Sequence, residues 1–226
     1  MPATAFFDRL CRLLQQTRVT DRAGAELGLD DAAEQAVNRL LAVRDAGRTV
    51  IGVGNGGSHS IVAHLEMDLC NRAGIPALTF NHPAILTALA NDHGYDCAFA
   101  RLIRLKARPG DCLVAVSSSG QSENILQAVR AAQDAGASVL TFSGFEPDNP
   151  LRARGDLNFY VPASEYGEVE VAHQAVIHYL SDCAVHRAET PAASEPAPQS
   201  SPALDPVILA KTPRTPQTPQ PLSTRV

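Results

Sequence analysis

Several features are missing from this sequence of 226 residues, and each absence excludes a class of protein. Positive charge is not in excess, because 19 Lys and Arg residues stand against 24 Asp and Glu residues, for a net charge of -5. That balance provides no basic surface for nucleic acid. No apolar run approaches the roughly 18 residues that a membrane-spanning helix needs. We therefore expect neither a nucleic-acid-binding protein nor a membrane protein.

The cysteines are few and lack the C-x-x-C spacing of metal and redox sites. They are odd in number and scattered along the chain: Cys11, Cys70, Cys97, Cys112 and Cys183. This pattern is typical of reduced thiols in a cytoplasm. The first 18 residues, "MPATAFFDRLCRLLQQTR", mix charged with apolar residues and so differ from a secretory signal. We expect a cytoplasmic protein.

The composition changes after Arg187. Residues 188–226 hold nine of the sixteen prolines and contain neither glycine nor an aromatic residue. Such a segment cannot bury enough apolar surface to offset the entropy lost on ordering. The sequence therefore predicts a folded domain over 1–187, followed by a disordered, proline-rich tail over 188–226.

Helices and strands alternate in the hydrophobic pattern of the folded part. Two amphipathic helices come first, and the second ends at Gly47. Short apolar runs that read as strands then follow, most of them separated by helical segments: "RTVIGVG", "IPALTF", "DCLVAVSSSG", "ASVLTFSG" and "LNFYVP". This alternation is typical of parallel βαβ units. We expect an α/β fold of three layers, with an open parallel sheet between helices and additional N-terminal helices.

A glycine-rich turn over residues 50–60, "VIGVGNGGSHS", joins the first of these strands to a helix. Backbone N–H groups in such a turn can approach a phosphate at the helix N-terminus. Gly52, Gly54 and Gly57 fit G-x-G-x-x-G, but a dinucleotide site also needs an acidic residue at the end of the next strand. That strand ends "ALTFNHPA" without one, and no Lys follows the glycines as in a P-loop. The pattern favours a smaller phosphorylated ligand.

A second polar loop, "VSSSGQSENI", follows another apolar strand and precedes a helix. It contains four serines: Ser117, Ser118, Ser119 and Ser122. Clustered serines are often only a solvated turn, but hydroxyl and N–H groups at a helix start also form a neutral cup for phosphate. Together with the glycine turn, the position of this loop favours phosphate binding.

Four motifs in this order resemble the phosphoheptose isomerase family of SIS-domain proteins: "GNGGSHSIVAHLEMD", "NDHGYDCAF", "RPGDCLVAVSSSGQSENI" and "VAHQAVIH". The resemblance covers roughly residues 1–187. It implies a flavodoxin-like α/β sandwich and a homotetramer with active sites between subunits. The implied reaction converts sedoheptulose 7-phosphate to D-glycero-D-manno-heptose 7-phosphate through an enediol.

The resemblance also implies roles for individual residues. Catalysis is implied at Asp68 and His178, and a divalent metal, zinc, at His64, Asp68, Glu170 and His178. Substrate contacts are implied at Asn55, Gly56, Gly57, Ser58, Asp68, Asn91, Asp92, Ser117, Ser118, Ser119, Ser122 and Glu170. From spacing alone, His64 and Asp68 lie four residues apart and share one face of a helix. An imidazole beside a carboxylate suits a metal site or a proton relay.

Two site positions depart from the family's pattern. Asp68 stands where the family typically has Glu, so either the backbone lies closer to the site or substrate preference or activity has changed. Glu170 stands where the family often has Gln, and a second carboxylate near Asp68 would strengthen metal binding or raise one carboxyl pKa. Because Glu170 and His178 lie about 12 Å apart along a continuous helix, either the helix begins after Glu170 or a neighbouring subunit completes the site.

Two other functions stay open from the sequence. Some SIS proteins similar to these isomerases are non-catalytic assembly factors, one of them a partner of the bacterial replication initiator. The chain could also isomerise a different phosphosugar, because phosphate loops do not select a chain length. The presence of His64 and His178 with carboxylates at the two remaining positions favours catalysis.

Overall fold

The structure, a computed structural model, describes residues 2–189 and contains one mixed sheet flanked by helices. The strands are β1 (Arg18–Asp21), β2 (Glu26–Leu27), β3 (Val50–Val53), β4 (Ala77–Thr79), β5 (Cys112–Ser117), β6 (Ser138–Ser143) and β7 (Leu157–Tyr160). The helices are α1 (Ala3–Gln15), α2 (Leu29–Asp45), α3 (Gly57–Asp68), α4 (Pro83–His93), α5 (Ala98–Lys106), α6 (Glu123–Asp134) and α7 (Tyr166–Glu189). The spatial order of the strands is β2-β1-β7-β6-β5-β3-β4.

Five of the strands, β3 to β7, form the parallel sheet that the alternating pattern predicts. The expected α/β architecture is confirmed. The sheet is not wholly parallel, however, because β1 pairs antiparallel with both β7 and β2. This edge hairpin was not predicted, and neither was α5.

The two faces of the sheet pack against separate helical layers. In β5, Cys112, Val114 and Val116 join the cluster that contains side chains of α2, α3 and α7. The alternate residues Leu113 and Ala115 join the cluster formed with α5 and α6. Successive side chains of a strand point to opposite faces, so a strand buried on both faces carries a continuous apolar run. This produces the expected three layers.

The glycine turn and the serine loop lie at the same edge of the sheet. The first follows β3 and the second follows β5, and these two parallel strands are direct neighbours, with Val53 opposite Ala115. Ligands in open α/β sheets bind at the carboxyl ends of the strands. The fold therefore brings together the two loops that the sequence singles out.

The predicted tail lies outside the described residues from residue 190 onward, whereas Ala188 and Glu189 belong to α7. Within residues 2–189, no helix combines the length and apolar character needed to cross a bilayer. All five cysteines fall in this part of the chain, and each is a free thiol.

Candidate active site

Two imidazoles converge on one carboxylate between α3 and α7. Asp68 Oδ2 lies 3.5 Å from His64 Nε2 and 3.4 Å from His178 Nδ1. The two imidazole rings meet edge to face, with centroids 4.5 Å apart. The i,i+4 spacing on α3 places His64 beside Asp68, and the packing of α7 adds His178. The structure thus unites three of the four residues expected to bind metal.

The Asp68 carboxylate is buried, while both imidazoles are exposed along one edge. Only 5% of the Asp68 side chain is exposed, against 41% for His64 and 39% for His178. The Ser181 hydroxyl lies 3.3 Å from Asp68 Oδ2, and the guanidinium of Arg72 lies 3.8 Å from Oδ1. Both carboxylate oxygens therefore have a positive or hydrogen-bonding neighbour, which fixes the orientation of the group.

The donor set fits a small divalent metal. His64 Nε2, Asp68 Oδ2 and His178 Nδ1 all lie within 4.8 Å of one another. Ligands about 2.0–2.2 Å from a tetrahedral Zn²⁺ are about 3.4 Å apart, close to the two distances from Asp68. Two imidazoles and one carboxylate also match the ligand types of catalytic zinc sites, which leave a position open for water or substrate. The residues present could hold such an ion.

Glu170 is separate from these three residues within one chain. Helix α7 is continuous from Tyr166. The first explanation from the sequence, a helix that begins after Glu170, is therefore excluded. Two residues of α7 contact opposite ends of α3. The Glu170 carboxylate packs against Gly57 at the start of α3, and Ser181 contacts Asp68 at the end of α3. The eleven residues from Gly57 to Asp68 span about 16 Å of helix. The remaining route to a four-residue set is a neighbouring subunit.

The glycine turn depends on the absence of side chains at specific positions. Gly56 has φ +52° and ψ −122°, a conformation that other residues rarely adopt. At Gly54 a Cβ would lie 2.6 Å from the Ser58 carbonyl oxygen, and at Gly57 it would overlap the Glu170 carboxylate. At Gly54 the turn thus requires glycine, whereas at Gly57 a side chain would displace the Glu170 carboxylate.

The serine loop places its hydroxyl groups at the N-terminus of α6. Ser122 is the N-cap residue, and its hydroxyl lies 3.3 Å from that of Ser117. Ser117 and Ser118 are buried, whereas Ser119 is half-buried and accepts from the backbone N–H of Gln121. Among residues 2–189, no protein group pairs with the Ser118 hydroxyl. Helix dipole and hydroxyl donors together suit an anion.

The other predicted substrate residues lie in the glycine turn and on α4. Asn55 and the buried Ser58 belong to the glycine turn. Asn91 and Asp92 are exposed near the end of α4, where Asn91 Nδ2 donates to Asp92 Oδ1 at 3.0 Å. Both side chains are exposed and pair with each other, so a ligand could reach them from solvent.

Two residues that sequence reasoning missed contact Asn55. Asn124 exchanges two side-chain hydrogen bonds with it, of 3.0 and 2.8 Å, and the Tyr95 hydroxyl donates to it at 2.8 Å. Asn124 stands two positions after Ser122 and Tyr95 three after Asp92, inside motifs already recognised. An asparagine or tyrosine in a polar loop has no signal that separates it from solvated neighbours, so sequence alone did not single them out.

Comparisons with known proteins agree with the geometry. A family model described as a SIS domain matches residues 6–144. The phosphoheptose isomerase of Edwardsiella ictaluri is 34% identical over 155 residues, which are 66% of this chain and 80% of that protein. The phosphoheptose isomerase of Pectobacterium atrosepticum is 36% identical over 161 residues, which are 67% of this chain and 83% of that protein.

The solved structures show the same relationship. The phosphoheptose isomerase GmhA from Neisseria gonorrhoeae superposes with a TM-score of 0.70 at 26% identity, over 80% of this chain and 96% of that one. A phosphoheptose isomerase from Francisella tularensis gives 0.69 at 25% identity, over 81% and 96%. The chain therefore belongs to the phosphoheptose isomerase family of SIS-domain aldose–ketose isomerases.

Proposed function

We propose that the protein interconverts sedoheptulose 7-phosphate and D-glycero-D-manno-heptose 7-phosphate. The observation that carries this proposal is the buried Asp68 carboxylate at the end of α3, the helix that follows the glycine turn. It lies between two partly exposed imidazoles, His64 from α3 and His178 from α7. The names of the relatives support the substrate. Aldose–ketose interconversion needs a base near the carbon that loses its proton, an acid near the carbonyl oxygen, and a binding site for the distal phosphate.

Asp68 and His178 move the protons in this proposal. The Asp68 carboxylate takes the proton from C1 of the ketose, and the C–H electron pair forms the double bond between C1 and C2. His178 donates a proton to O2, which gives the enediol. Asp68 then returns its proton to C2, and His178 recovers a proton from O1 as the aldehyde forms. No oxidant or reductant is needed, because the protons and electrons balance within the substrate.

The two loops bind the rest of the substrate. The serine loop holds the phosphate through the hydroxyls of Ser117, Ser118, Ser119 and Ser122 and the N-terminus of α6. The glycine turn, through Asn55, Gly56, Gly57 and Ser58, faces the sugar, together with Asn91 and Asp92. Glu170 supports the glycine turn from α7.

A divalent metal, zinc in this proposal, is held by His64, Asp68 and His178, with Glu170 from a neighbouring subunit as the further ligand. When bound, such an ion supplies Lewis-acid polarisation of the substrate oxygens.

The proposal includes a cytoplasmic homotetramer. Large apolar side chains that one chain leaves exposed, among them Leu105 and Phe7, are consistent with further burial between subunits.

The test is turnover of the purified full-length protein, followed by NMR of the aldose. We expect product from sedoheptulose 7-phosphate, loss of activity after chelation, and recovery on addition of Zn²⁺. Parallel samples with five- and six-carbon ketose phosphates examine the alternative of a different phosphosugar. Absence of turnover of sedoheptulose 7-phosphate with every divalent metal tried would refute the proposal.

A further inference from the structure

Three hydrogen bonds converge on the side chain of Asn55. Asn55 Nδ2 donates to Asn124 Oδ1 at 3.0 Å, and Asn124 Nδ2 donates back to Asn55 Oδ1 at 2.8 Å. The Tyr95 hydroxyl donates to the same Asn55 oxygen at 2.8 Å. In this orientation the Asn55 oxygen accepts from two donors and the Asn55 nitrogen donates once.

A count of donors and acceptors limits what Asn55 can offer a ligand. An amide oxygen has two lone pairs and an amide nitrogen has two N–H groups. Both lone pairs of Asn55 are used, by Asn124 and Tyr95, and one N–H is used by Asn124. One N–H remains. In this orientation Asn55 presents a single donor, which suits a carbonyl or hydroxyl oxygen.

The three residues join segments that are distant in the chain. Asn55 lies in the glycine turn, and Asn124, which is 3% exposed, lies in the first turn of α6 beside the serine loop. Tyr95 begins the short 3₁₀ segment after α4. Helix α4, which carries Asn91 and Asp92, has no buried residue. Only partly buried side chains of α4, Leu86 and Leu89 among them, pack against the core. The hydrogen bond from Tyr95 therefore adds a further contact that fixes the Asn91–Asp92 end of this helix.

We propose that Asn124 and Tyr95 are positioning residues that form a polar latch with Asn55. The latch sets the glycine turn, the serine loop and the Asn91–Asp92 end of α4 in one arrangement before substrate binds. It also restricts Asn55 to donating a hydrogen bond to a substrate oxygen, and this second part rests on the proposed function. Asn124 is buried and Tyr95 is 46% exposed, so the latch extends from the core to the surface. Side-chain hydrogen-bond networks add rigidity to the segments that they join.

The first test is hydrogen–deuterium exchange of the full chain without substrate. Tyr95→Phe removes only the hydroxyl and keeps the ring beside Phe99, whose centroid is 6.1 Å away. Loss of one neutral hydrogen bond predicts exchange about three- to tenfold faster in peptides from residues 83–97. Tyr166→Phe is the matched control, because Tyr166 is 60% exposed and lies outside the latch. Equal exchange in wild type and Tyr95→Phe would overturn the proposal.

A double-variant comparison separates the latch from general loosening. Asn55→Ala removes the shared acceptor, so adding Tyr95→Phe to it is expected to cause no further increase in exchange. Additive increases would mean that Tyr95 acts through another contact and would overturn the proposal. This readout needs no catalytic activity, so it decides the latch even if sedoheptulose 7-phosphate is not the substrate.

Kinetics test the substrate-facing part. With sedoheptulose 7-phosphate, Tyr95→Phe is expected to raise KM about three- to tenfold and to leave kcat within about twofold, because Asp68 and His178 are untouched. A fall in kcat with unchanged KM would contradict a positioning role before binding. Wild-type inactivity combined with faster α4 exchange in Tyr95→Phe would refute the proposed function and leave the latch supported.

Discussion

Asp68 shows how a short carboxylate can serve two imidazoles. Its Oδ2 atom lies within 3.5 Å of both His64 and His178, while Arg72 faces Oδ1 from the next helical turn. Arg72 also binds Asp182 at 2.8 Å, so it is itself held in place. A Glu at position 68 would have to fit one more methylene into a buried site. The cluster thus forms with Asp at the position where the resemblance implies Glu.

Replacing Asp68 by Asn tests its proposed role in proton transfer. We expect kcat to fall about 100-fold or more, because a carboxamide cannot accept the proton, while the protein stays folded. Asp182→Asn is the control, since it also removes a carboxylate beside Arg72 but lies outside the cluster. Steady-state kinetics and thermal unfolding are measured together. Near-normal kcat in Asp68→Asn would show that another group moves the proton.

His173 is a buried residue that links stability to pH. It is fully buried, and its Nε2–H donates to the Ser143 carbonyl at 3.0 Å. Burial lowers its pKa from 6.5 to about 4, against the smaller opposing effect of that hydrogen bond. Between these two values the unfolded state binds more protons than the folded state. The contribution of His173 to stability is therefore complete above pH 6.5 and is lost as the pH falls toward 4.

The expected loss is about 3 kcal/mol of unfolding free energy by pH 4, at about 1.4 kcal/mol per pH unit. Urea unfolding at several pH values measures it. His173→Gln cannot titrate, so this part of the slope disappears in that variant even if its stability at pH 7 is lower. An unchanged slope between pH 6.5 and 4 would show that His173 does not titrate differently in the two states.

At the scale of elements, the contact between the glycine turn and α7 explains why Gly57 carries no side chain. A Cβ there would meet the carboxylate of Glu170, which is a movable side chain. At Gly54 the Cβ would instead meet backbone atoms of Ser58 and His59, at 2.6–2.8 Å. Backbone cannot move aside without shifting the start of α3. The two glycines therefore differ in how replaceable they are.

We expect Gly54→Ala to destabilise the protein by about 1–3 kcal/mol, more than Gly57→Ala. The cost of Gly57→Ala is expected to shrink in a Glu170→Ala background, because the overlap is then absent. Thermal or urea unfolding of the three variants and the double variant measures both effects. Equal costs for Gly57→Ala with and without Glu170 would contradict the contact.

The pattern of the sequence predicts those elements that carry long apolar runs. β5 and β6 have six residues each and are almost completely buried, so their hydrophobic runs stand out. The β1–β2 hairpin has strands of four and two residues, and its pairing depends on β7, far away in the chain. Buried Asn158 adds to that link by donating to the Thr20 carbonyl at 3.2 Å. Local periodicity contains no signal for such a contact.

The same division applies to the site. The pairing of His64 with Asp68 follows from i,i+4 spacing, and the meeting of the two loops follows from neighbouring parallel strands. The approach of His178 depends on how α7 packs along α3, which the resemblance implied and spacing could not. The Asn124 and Tyr95 contacts with Asn55 depend on tertiary structure alone. Sequence patterns thus predict contacts within one helix or between neighbouring strands, but not contacts between side chains of segments that are distant in the chain.

At the scale of the whole molecule, the position of Glu170 has consequences for assembly. One chain brings His64, Asp68 and His178 together but keeps Glu170 at the opposite end of α3. If Glu170 completes the site as proposed, it does so from another subunit. Each site would then use Asp68 and His178 of one chain and Glu170 of its neighbour.

Mixing inactive variants tests this arrangement. Homomers of Asp68→Asn and of Glu170→Ala are each expected to have low activity, and mixing them after dissociation is expected to restore about a quarter of wild-type activity. Random pairing makes half of the subunit pairs mixed. In each mixed pair, one of the two sites combines the intact Asp68 of one chain with the intact Glu170 of the other, so a quarter of all sites are intact. Asp68→Asn mixed with His178→Ala is the control.

The control is expected to stay inactive, because both residues belong to the same chain's cluster and every site in a mixed pair retains one of the two defects. Activity is followed with sedoheptulose 7-phosphate, and sedimentation velocity confirms that subunits have exchanged. Exchange without recovery in the Asp68→Asn and Glu170→Ala mixture would place Glu170 outside the neighbouring site. Full activity of Glu170→Ala alone would show that the site is complete with the three residues that one chain already provides.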